Sequence, residues 1–394
     1  MANIIDYLHW RGDLSFTQSG VNEVDNILFV FLSFLDFHEI VPSDPADGDI
    51  LLRDAVHMCF ERTADAPPYY GAIMPNKDIH RMAKLMAKSN RFGHVRVTGY
   101  INEINEETEA QFSTYTAFLD DGSIFISFKG TDDTLVGWKE DLNMSVSKEI
   151  PGQRHAVEYL TKIASMFKGK IRVGGHSKGG NLAVYAAAKC DPSIQRRIAR
   201  VYNNDGPGFS SEFIESEGYQ NIKPKILKLI PQESLVGLLL ANDDHFSIVC
   251  SSKSGVLQHN SFLWEVRGRH FVRRQELAHK SIELSKTVNA WINEKDEETR
   301  KEIIEAIYEL FTASEAKTLT ELGQKKTALL SALKKIDPQK RELVFKSVTQ
   351  LIGEIIKSGR QKKKINNEET AETIDEKAFK SETSNDVIGS EEKT

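Results

Sequence analysis

The spacing of hydrophobic residues near the N-terminus predicts helices. Apolar side chains recur every three or four positions over residues 22–37, 50–63 and 77–90. The first of these helices would begin at Asn22, a residue type that commonly caps a helix N-terminus. Its apolar run, residues 27–35, is shorter than the roughly 20 residues that a membrane-spanning helix needs. We therefore expect this helix to be buried in a protein core.

The middle of the chain changes to a pattern typical of strands alternating with helices. Residues 112–119 and 123–128 flank the turn Asp120-Asp121-Gly122 and predict a β-hairpin. The predicted strands are 95–101, 112–119, 123–128, 170–173, 198–203, 225–230 and 246–251. The predicted helices between them are 153–167, 181–189 and 210–217. This order predicts an α/β fold with an antiparallel start and then a mostly parallel sheet, flanked by helices on both faces.

The same patterns suggest where domains begin and end. We expect an α/β domain over residues 1–272, in which a helical segment (1–92) that could act as a cap precedes the core (93–272). Beyond it, apolar residues at helical spacing in a strongly charged sequence predict a helical appendage over residues 273–360. Residues 361–394 are rich in Lys, Glu, Thr, Ser and Asn, and this composition predicts a disordered tail.

Composition and charge exclude several classes of function. The 394 residues carry a net charge of −6, which gives no basic field for a nucleic-acid partner. Cys59, Cys190 and Cys250 are odd in number and far apart, so neither a disulfide framework nor a zinc site is indicated. The first residues lack the basic and apolar regions of a signal peptide, which leads us to expect a cytoplasmic protein.

A glycine-rich turn carries the strongest chemical signal in the sequence. Gly175-His176-Ser177-Lys178-Gly179 follows a predicted strand and precedes a predicted helix, which is the setting of a nucleophile elbow. The helix N-terminus behind Ser177 would offer unpaired N–H groups to a developing oxyanion. A structural glycine-rich turn is the alternative, and a phosphate loop is excluded because its Gly-x4-Gly-Lys-Ser/Thr spacing is missing. We interpret Ser177 as the nucleophile of a serine hydrolase.

Two segments resemble lipases. Residues 128–142, with Phe-Lys-Gly-Thr, a tryptophan and an aspartate, are similar to the Phe-Arg-Gly-Thr…Trp…Asp segment of class 3 lipases, and residues 174–183 resemble their Gly-His-Ser-Leu-Gly-Gly elbow. The chain is more similar still to a bacterial lipase-like family, called Mbeg-like, of the α/β-hydrolase superfamily. The segments that match it are 22–25, 130–144, the elbow, 204–209 and 258–260. The resemblance covers about residues 1–270. It implies the α/β-hydrolase fold and lipase-like chemistry, but no particular substrate.

The resemblance to class 3 lipases also implies an oxyanion hole. In those enzymes the residue after Phe-Arg-Gly supplies one donor, and the matching residue here is Thr131, whose backbone N–H and hydroxyl could both serve. The second donor would be the backbone N–H of Lys178, which follows the nucleophile. We expect the Lys178 side chain, which replaces a leucine, to point outward or to favour an acidic substrate group. Trp138 and Asp141 are expected to anchor the following loop.

The general base should be a histidine near the carboxyl ends of the strands. The histidines that follow Ser177 are His245, His259, His270 and His279. His270 and His279 lie in charged, surface-like segments, and His245 precedes the last predicted strand, at the wrong end of a parallel sheet. His259 follows that strand after a short Ser/Gly-containing loop and also matches the family's Gln-His segment. We therefore predict that His259 is the base.

Two carboxylates are candidates for the acid that orients the histidine. Asp205 directly follows the strand 198–203, where pancreatic-type lipases place their acid. Glu233 follows the strand 225–230, where class 3 lipases have theirs. An Asx-turn for Asp205 and an exposed loop acid for Glu233 are the structural alternatives. We prefer Asp205 and keep Glu233 as the alternative acid.

These residues predict a serine esterase that cleaves lipid or other acyl esters through an acyl-enzyme, without metal or organic cofactor. A thioesterase or acyltransferase with the same triad is one alternative, and a non-catalytic binding protein on a hydrolase scaffold is another. The expected partner is a small acyl ester or lipid, and Tyr69, Tyr70 and Met74 are candidate walls of an acyl pocket. Contact with a membrane surface is compatible with this interpretation, although no transmembrane segment is predicted. The sequence leaves the oligomeric state open.

Overall fold

The computed structural model describes residues 1–62, 76–132, 134–243, 245–314 and, farther along, 318, 321, 332–334, 336–347 and 349–354. The chain divides into two compact units, Met1–Leu343 and Val344–Thr394. In the second unit, residues 344–347 and 349–354 are helical. The candidate pocket residues Tyr69, Tyr70 and Met74 and the predicted tail over residues 361–394 lie outside the described residues. The domain boundaries given above stay predictions.

The first unit is built around a β-sheet. The strands in chain order are β1 (Ile50–Leu51), β2 (Arg96–Asn105), β3 (Ala110–Phe118), β4 (Ile124–Phe128), β5 (Ile171–His176), β6 (Ile198–Asn204), β7 (Ile226–Pro231), β8 (Phe246–Val249), β9 (Val266–Arg267), β10 (His270–Phe271) and β11 (Arg273–Arg274). In the described residues, nine strands form one sheet in the order β1-β2-β3-β4-β5-β6-β7-β8-β11, and β9 pairs with β10 separately. Strands β4 to β8 are parallel, and the outer strands pair antiparallel with their neighbours.

Helices cover both faces of this sheet. They are α1 (Ile4–Arg11), α2 (Glu23–Leu32), α3 (Leu52–Arg62), α4 (Asn76–Lys88), α5 (Leu135–Asn143), α6 (Pro151–Met166), α7 (Lys178–Lys189), α8 (Pro192–Arg197), α9 (Ser211–Glu215), α10 (Glu217–Ile222), α11 (His279–Asn293) and α12 (Glu297–Thr312). The N-terminal helices pack on one face, and α6 and α7 pack on the other. None of the helices in the described residues has both the length and the apolar character needed to span a bilayer.

Strand β4 shows how the sequence specifies the two layers. Ile124, Ile126 and Phe128 contribute to the core that contains α6 and α7, whereas Phe125 contributes to the core that contains the N-terminal helices. Alternate side chains of a strand point to opposite faces, so a strand covered on both sides carries apolar side chains on both faces. The predicted α/β class is confirmed, in a mixed sheet with five parallel strands at its centre.

Helix α2 is fully buried and is tied to both the sheet and the rest of the N-terminal segment. Its Asp25 accepts hydrogen bonds from Arg91 at 2.7 and 2.6 Å, and neither side chain of this ion pair is exposed to solvent. Asn26 exchanges side-chain hydrogen bonds of 2.9 and 3.2 Å with Asn204, the last residue of β6. The N-terminal helices are therefore part of the core that supports the carboxyl ends of the strands.

Candidate active site

Ser177 lies on a strained turn between β5 and α7. Its backbone has φ of +57° and ψ of −129°, a left-handed conformation that is costly for a residue with a side chain. A Cβ on Gly175 would come within 2.0 Å of the Gly179 carbonyl carbon, and one on Gly179 would come within 2.2 Å of the Phe128 oxygen. These two close approaches require glycine. The turn is fixed by the Ser177 N–H, which donates to the Asn204 carbonyl at 2.9 Å.

The ring of His259 faces a carboxylate. His259 ends a short 3-10 turn, Gly255–His259, in the segment that follows β8. Its Nδ1 lies 2.7 Å from Oδ2 of Asp205, and the two side chains are only 12% and 1% exposed. An ionised carboxylate can only accept hydrogen bonds, so the proton of the neutral imidazole is on Nδ1. Nε2 is then left as the nitrogen able to take a proton from a serine hydroxyl.

Asp205 is held rigidly at the end of β6. Its backbone is left-handed, with φ of +52°, and its N–H donates to the Leu229 carbonyl at 2.7 Å. While Oδ2 faces His259, Oδ1 accepts a hydrogen bond from the Ser234 hydroxyl at 2.5 Å. Both carboxylate oxygens are thus occupied, which fixes the plane of the carboxylate relative to the imidazole.

Glu233 has a different set of contacts. Its Oε2 accepts a hydrogen bond from the Gly255 N–H at 2.7 Å, and its own N–H donates to Oε1 of Gln258 at 2.9 Å. These bonds hold the 3-10 turn that ends at His259. The structure therefore brings Asp205 to the histidine ring and places Glu233 against the backbone of the same turn.

The loop after β4 lies against the elbow. A Cβ on Gly130 would be 3.5 Å from the Cβ of Ser177, which places Thr131 beside the nucleophile. The Thr131 hydroxyl donates to Oδ2 of Asp141 at 2.6 Å, so it is not free to face a substrate. Among the described residues, no acceptor bonds to the backbone N–H of Thr131 or of Lys178. These are the two N–H groups expected in an oxyanion hole.

The side chain of Lys178 points into the protein, so the expectation that it points outward or favours an acidic substrate group was wrong. Its ammonium is buried and lies 2.6 Å from Oε2 of Glu140. It also donates to the backbone oxygen of Gln111 at 2.9 Å and to the Gln111 side chain at 2.7 Å. Sequence alone did not indicate Glu140 as a partner, because it is 38 residues away in the chain.

Comparison with known proteins places the chain in a family. Residues 86–309, more than half of the chain, match the model of the Mbeg1-like family. The chain belongs to the Mbeg1-like family. The matched span of this Mbeg1-like protein includes Ser177, His259 and Asp205, and the resemblance drawn from the motifs is confirmed.

Among solved structures, this Mbeg1-like chain has a weak match to a lipase. A solved structure titled "Crystal structure of M37 lipase" is similar with 13% sequence identity and a TM-score of 0.38. The similarity covers 55% of this chain and 70% of that one, and a score this low carries no argument about fold or activity. No curated protein matches the sequence.

Two residues of the Mbeg1-like site were not singled out from sequence. Ser234 holds the second oxygen of Asp205, and its position beside Glu233 was the only signal. His176, the second residue of the elbow motif, lies with Nε2 2.7 Å from the backbone oxygen of His259. Burial, together with a smaller contribution from the neighbouring His259, lowers the pKa of His176 to about 3, so the ring is neutral and donates to that oxygen. His176 thereby fixes the backbone of the candidate base.

Asp141 gives the Mbeg1-like site a testable pH dependence. Burial raises the pKa of its carboxyl to about 6, although Lys178 and the Thr131 hydroxyl lower it. Its Oδ1 is buried and has no hydrogen-bond partner among the described residues. The folded protein keeps a proton that the unfolded chain loses near pH 4, so this carboxyl makes stability fall as the pH rises from about 4 to about 6.

Replacing Asp141 with asparagine should remove this effect. Between pH 4.5 and pH 8 the unfolding free energy of Asp141→Asn relative to wild type should rise by about 2 kcal/mol. Urea denaturation of both proteins at the two pH values measures the difference. An equal difference at the two pH values would show that the pKa of Asp141 is not raised.

Proposed function

We propose that this Mbeg1-like protein is a serine hydrolase that cleaves carboxylic esters of lipids or other acyl groups through an acyl-enzyme. The observation that carries the proposal is the contact of 2.7 Å between His259 and Asp205, at the same edge of the sheet as a strained serine elbow. Left-handed backbone at both Ser177 and Asp205 supports it, because strain of this kind is concentrated at functional sites.

The proposed mechanism uses only side chains and backbone groups of this chain. Nε2 of His259 takes the proton of the Ser177 hydroxyl as its oxygen attacks the ester carbonyl carbon. The N–H groups of Thr131 and Lys178 hold the oxyanion, and the Asp205 carboxylate stabilises the imidazolium. The imidazolium then protonates the leaving alcohol, and water hydrolyses the acyl-enzyme by the same steps.

Hydrolysis of p-nitrophenyl esters tests the proposal. The full-length protein should release p-nitrophenol from a series running from acetate to palmitate, and the preferred chain length reports the acyl pocket. A parallel series of acyl thioesters distinguishes an esterase from a thioesterase, which the same triad supports. If the folded protein neither turns over any of these substrates nor reacts with a fluorophosphonate probe, it is a binding protein on a hydrolase scaffold.

A further inference from the structure

Helix α5 connects the candidate oxyanion hole to the C-terminal helices. Three consecutive residues of this helix contact three different parts of the molecule. Asp141 accepts the hydroxyl of Thr131, Glu140 pairs with Lys178, and Lys139 points toward α12. Both residues proposed as oxyanion donors are therefore held by adjacent acids of one short helix.

The Lys178–Glu140 pair is fully enclosed. Neither side chain is exposed, and the three protons of the ammonium have three acceptors, two of them on Gln111. The Glu140 carboxylate also accepts the backbone N–H groups of Gly152 at 2.8 Å and of Gln111 at 3.1 Å. A buried ion pair is rarely more stabilising than an apolar side chain of similar volume. This pair instead fixes the position of Lys178, the first residue of α7, relative to both β3 and α5.

The side of α5 that faces away from Lys178 contacts α12 and Glu109. The Lys139 ammonium bonds to Glu305 at 2.9 Å and to Glu109 at 2.7 Å, and it lies 4.4 Å from the centre of the Tyr308 ring. Arg300 donates to the carbonyl of Ser145, just beyond the end of α5, at 2.6 Å.

The beginning of α5 also contacts a residue that follows α12 in the chain. Thr134, which caps α5 by accepting the N–H of Gly137 at 3.2 Å, forms an antiparallel bridge with Thr318. The C-terminal part of the chain thus contacts both ends of α5.

We propose that the Lys178–Glu140 pair positions the Lys178 N–H in the oxyanion hole, and that α12 holds α5 in the place that this requires. Lys178 and Glu140 act here as positioning residues, since their side chains touch no reacting atom. The inference rests on the hydrolase function proposed above, and it assigns a positioning role to α12.

Two substitutions in the full-length protein test the pair. Lys178→Met keeps the backbone N–H but removes the ammonium, and Glu140→Gln removes its partner's charge. Active sites are counted with a fluorophosphonate, so that kcat is obtained per reactive serine. Each variant should lose about 10- to 100-fold in kcat with little change in KM, because a misplaced oxyanion donor weakens transition-state binding alone. The double variant should be no slower than the slower single variant, because the two residues act as a unit.

Lys189→Met is the matched control. It makes the same substitution at the exposed end of the same helix and should keep the wild-type kcat. A purely structural pair would lower the melting temperature and the number of reactive serines, while leaving kcat per reactive serine unchanged. That result would overturn the role of the pair.

A charge reversal on α12 tests the second half of the proposal without altering the buried pair. Glu305→Lys places a second ammonium against Lys139 and should lower kcat per reactive serine several-fold. Glu302→Lys makes the same change at an exposed position of α12 for which the described residues give no contact, and it should have no effect. Equal kcat values in these two variants would exclude a positioning role for α12. A wild-type protein that neither hydrolyses esters nor labels at Ser177 would instead refute the proposed function itself.

Discussion

Ser177→Ala should lower the rate of ester hydrolysis by about 10⁶-fold and abolish covalent labelling by a fluorophosphonate, because no other group can form the acyl-enzyme. The substitution removes one oxygen and leaves the N–H that donates to Asn204 in place. Alanine has a Cβ like serine, so the left-handed backbone costs the same in both proteins. The melting temperature should therefore hardly change.

The rate is measured with the p-nitrophenyl ester that the wild-type protein hydrolyses fastest. The labelled residue is identified by mass spectrometry of the digested protein. Ser147→Ala, at an exposed position, is the control and should retain full activity. Persistent turnover and labelling in the Ser177→Ala protein would place the nucleophile elsewhere.

Asp205→Asn should reduce kcat by about 10⁴-fold, with the fold intact. In the native protein Oδ1 accepts from Ser234 and Oδ2 accepts from Nδ1 of His259. An asparagine whose oxygen stays with Ser234 turns its NH₂ group toward Nδ1. Nδ1 must then accept, so the proton moves to Nε2 and the ring can no longer act as a base toward Ser177.

Glu233→Gln is the comparison that decides between the two candidate acids. A glutamine oxygen can still accept the Gly255 N–H, so we expect kcat to change only a few-fold. The kcat of both variants is measured at the same pH with the same ester. Lost turnover in Glu233→Gln together with normal turnover in Asp205→Asn would reverse our assignment of the acid.

The sequence was most informative where chemistry depends on neighbouring residues. The elbow around Ser177 could be recognised because its two glycines, the strand before it and the helix after it are all local features. His259 could be chosen because parallel strands bring their carboxyl ends to one edge of the sheet. The α/β class followed from the alternation of strand-like and helix-like segments.

Features that depend on side-chain direction or on distant partners could not be predicted. Asp205 and Glu233 both follow parallel strands, and only the left-handed turn at Asp205 shows which carboxylate faces the imidazole. The direction of Lys178 depends on Glu140, which belongs to another helix. Helices α1, α5, α8 and α10 were missed. Strands β1, β9, β10 and β11 were also missed, because strands of two residues contain no periodicity.

The buried ion pair between Asp25 and Arg91 bears on how small a working fragment of this protein can be. The span that identifies the family begins at residue 86, so it includes Arg91 but not Asp25. A fragment with those limits would leave the guanidinium without its carboxylate, which costs about 3–5 kcal/mol for a buried pair. It would also expose the face of the sheet that α2 covers and lose Asn26, the partner of Asn204 beneath the elbow. We therefore expect that the matched span does not fold on its own, because the N-terminal helices cover and support the strands that carry the elbow.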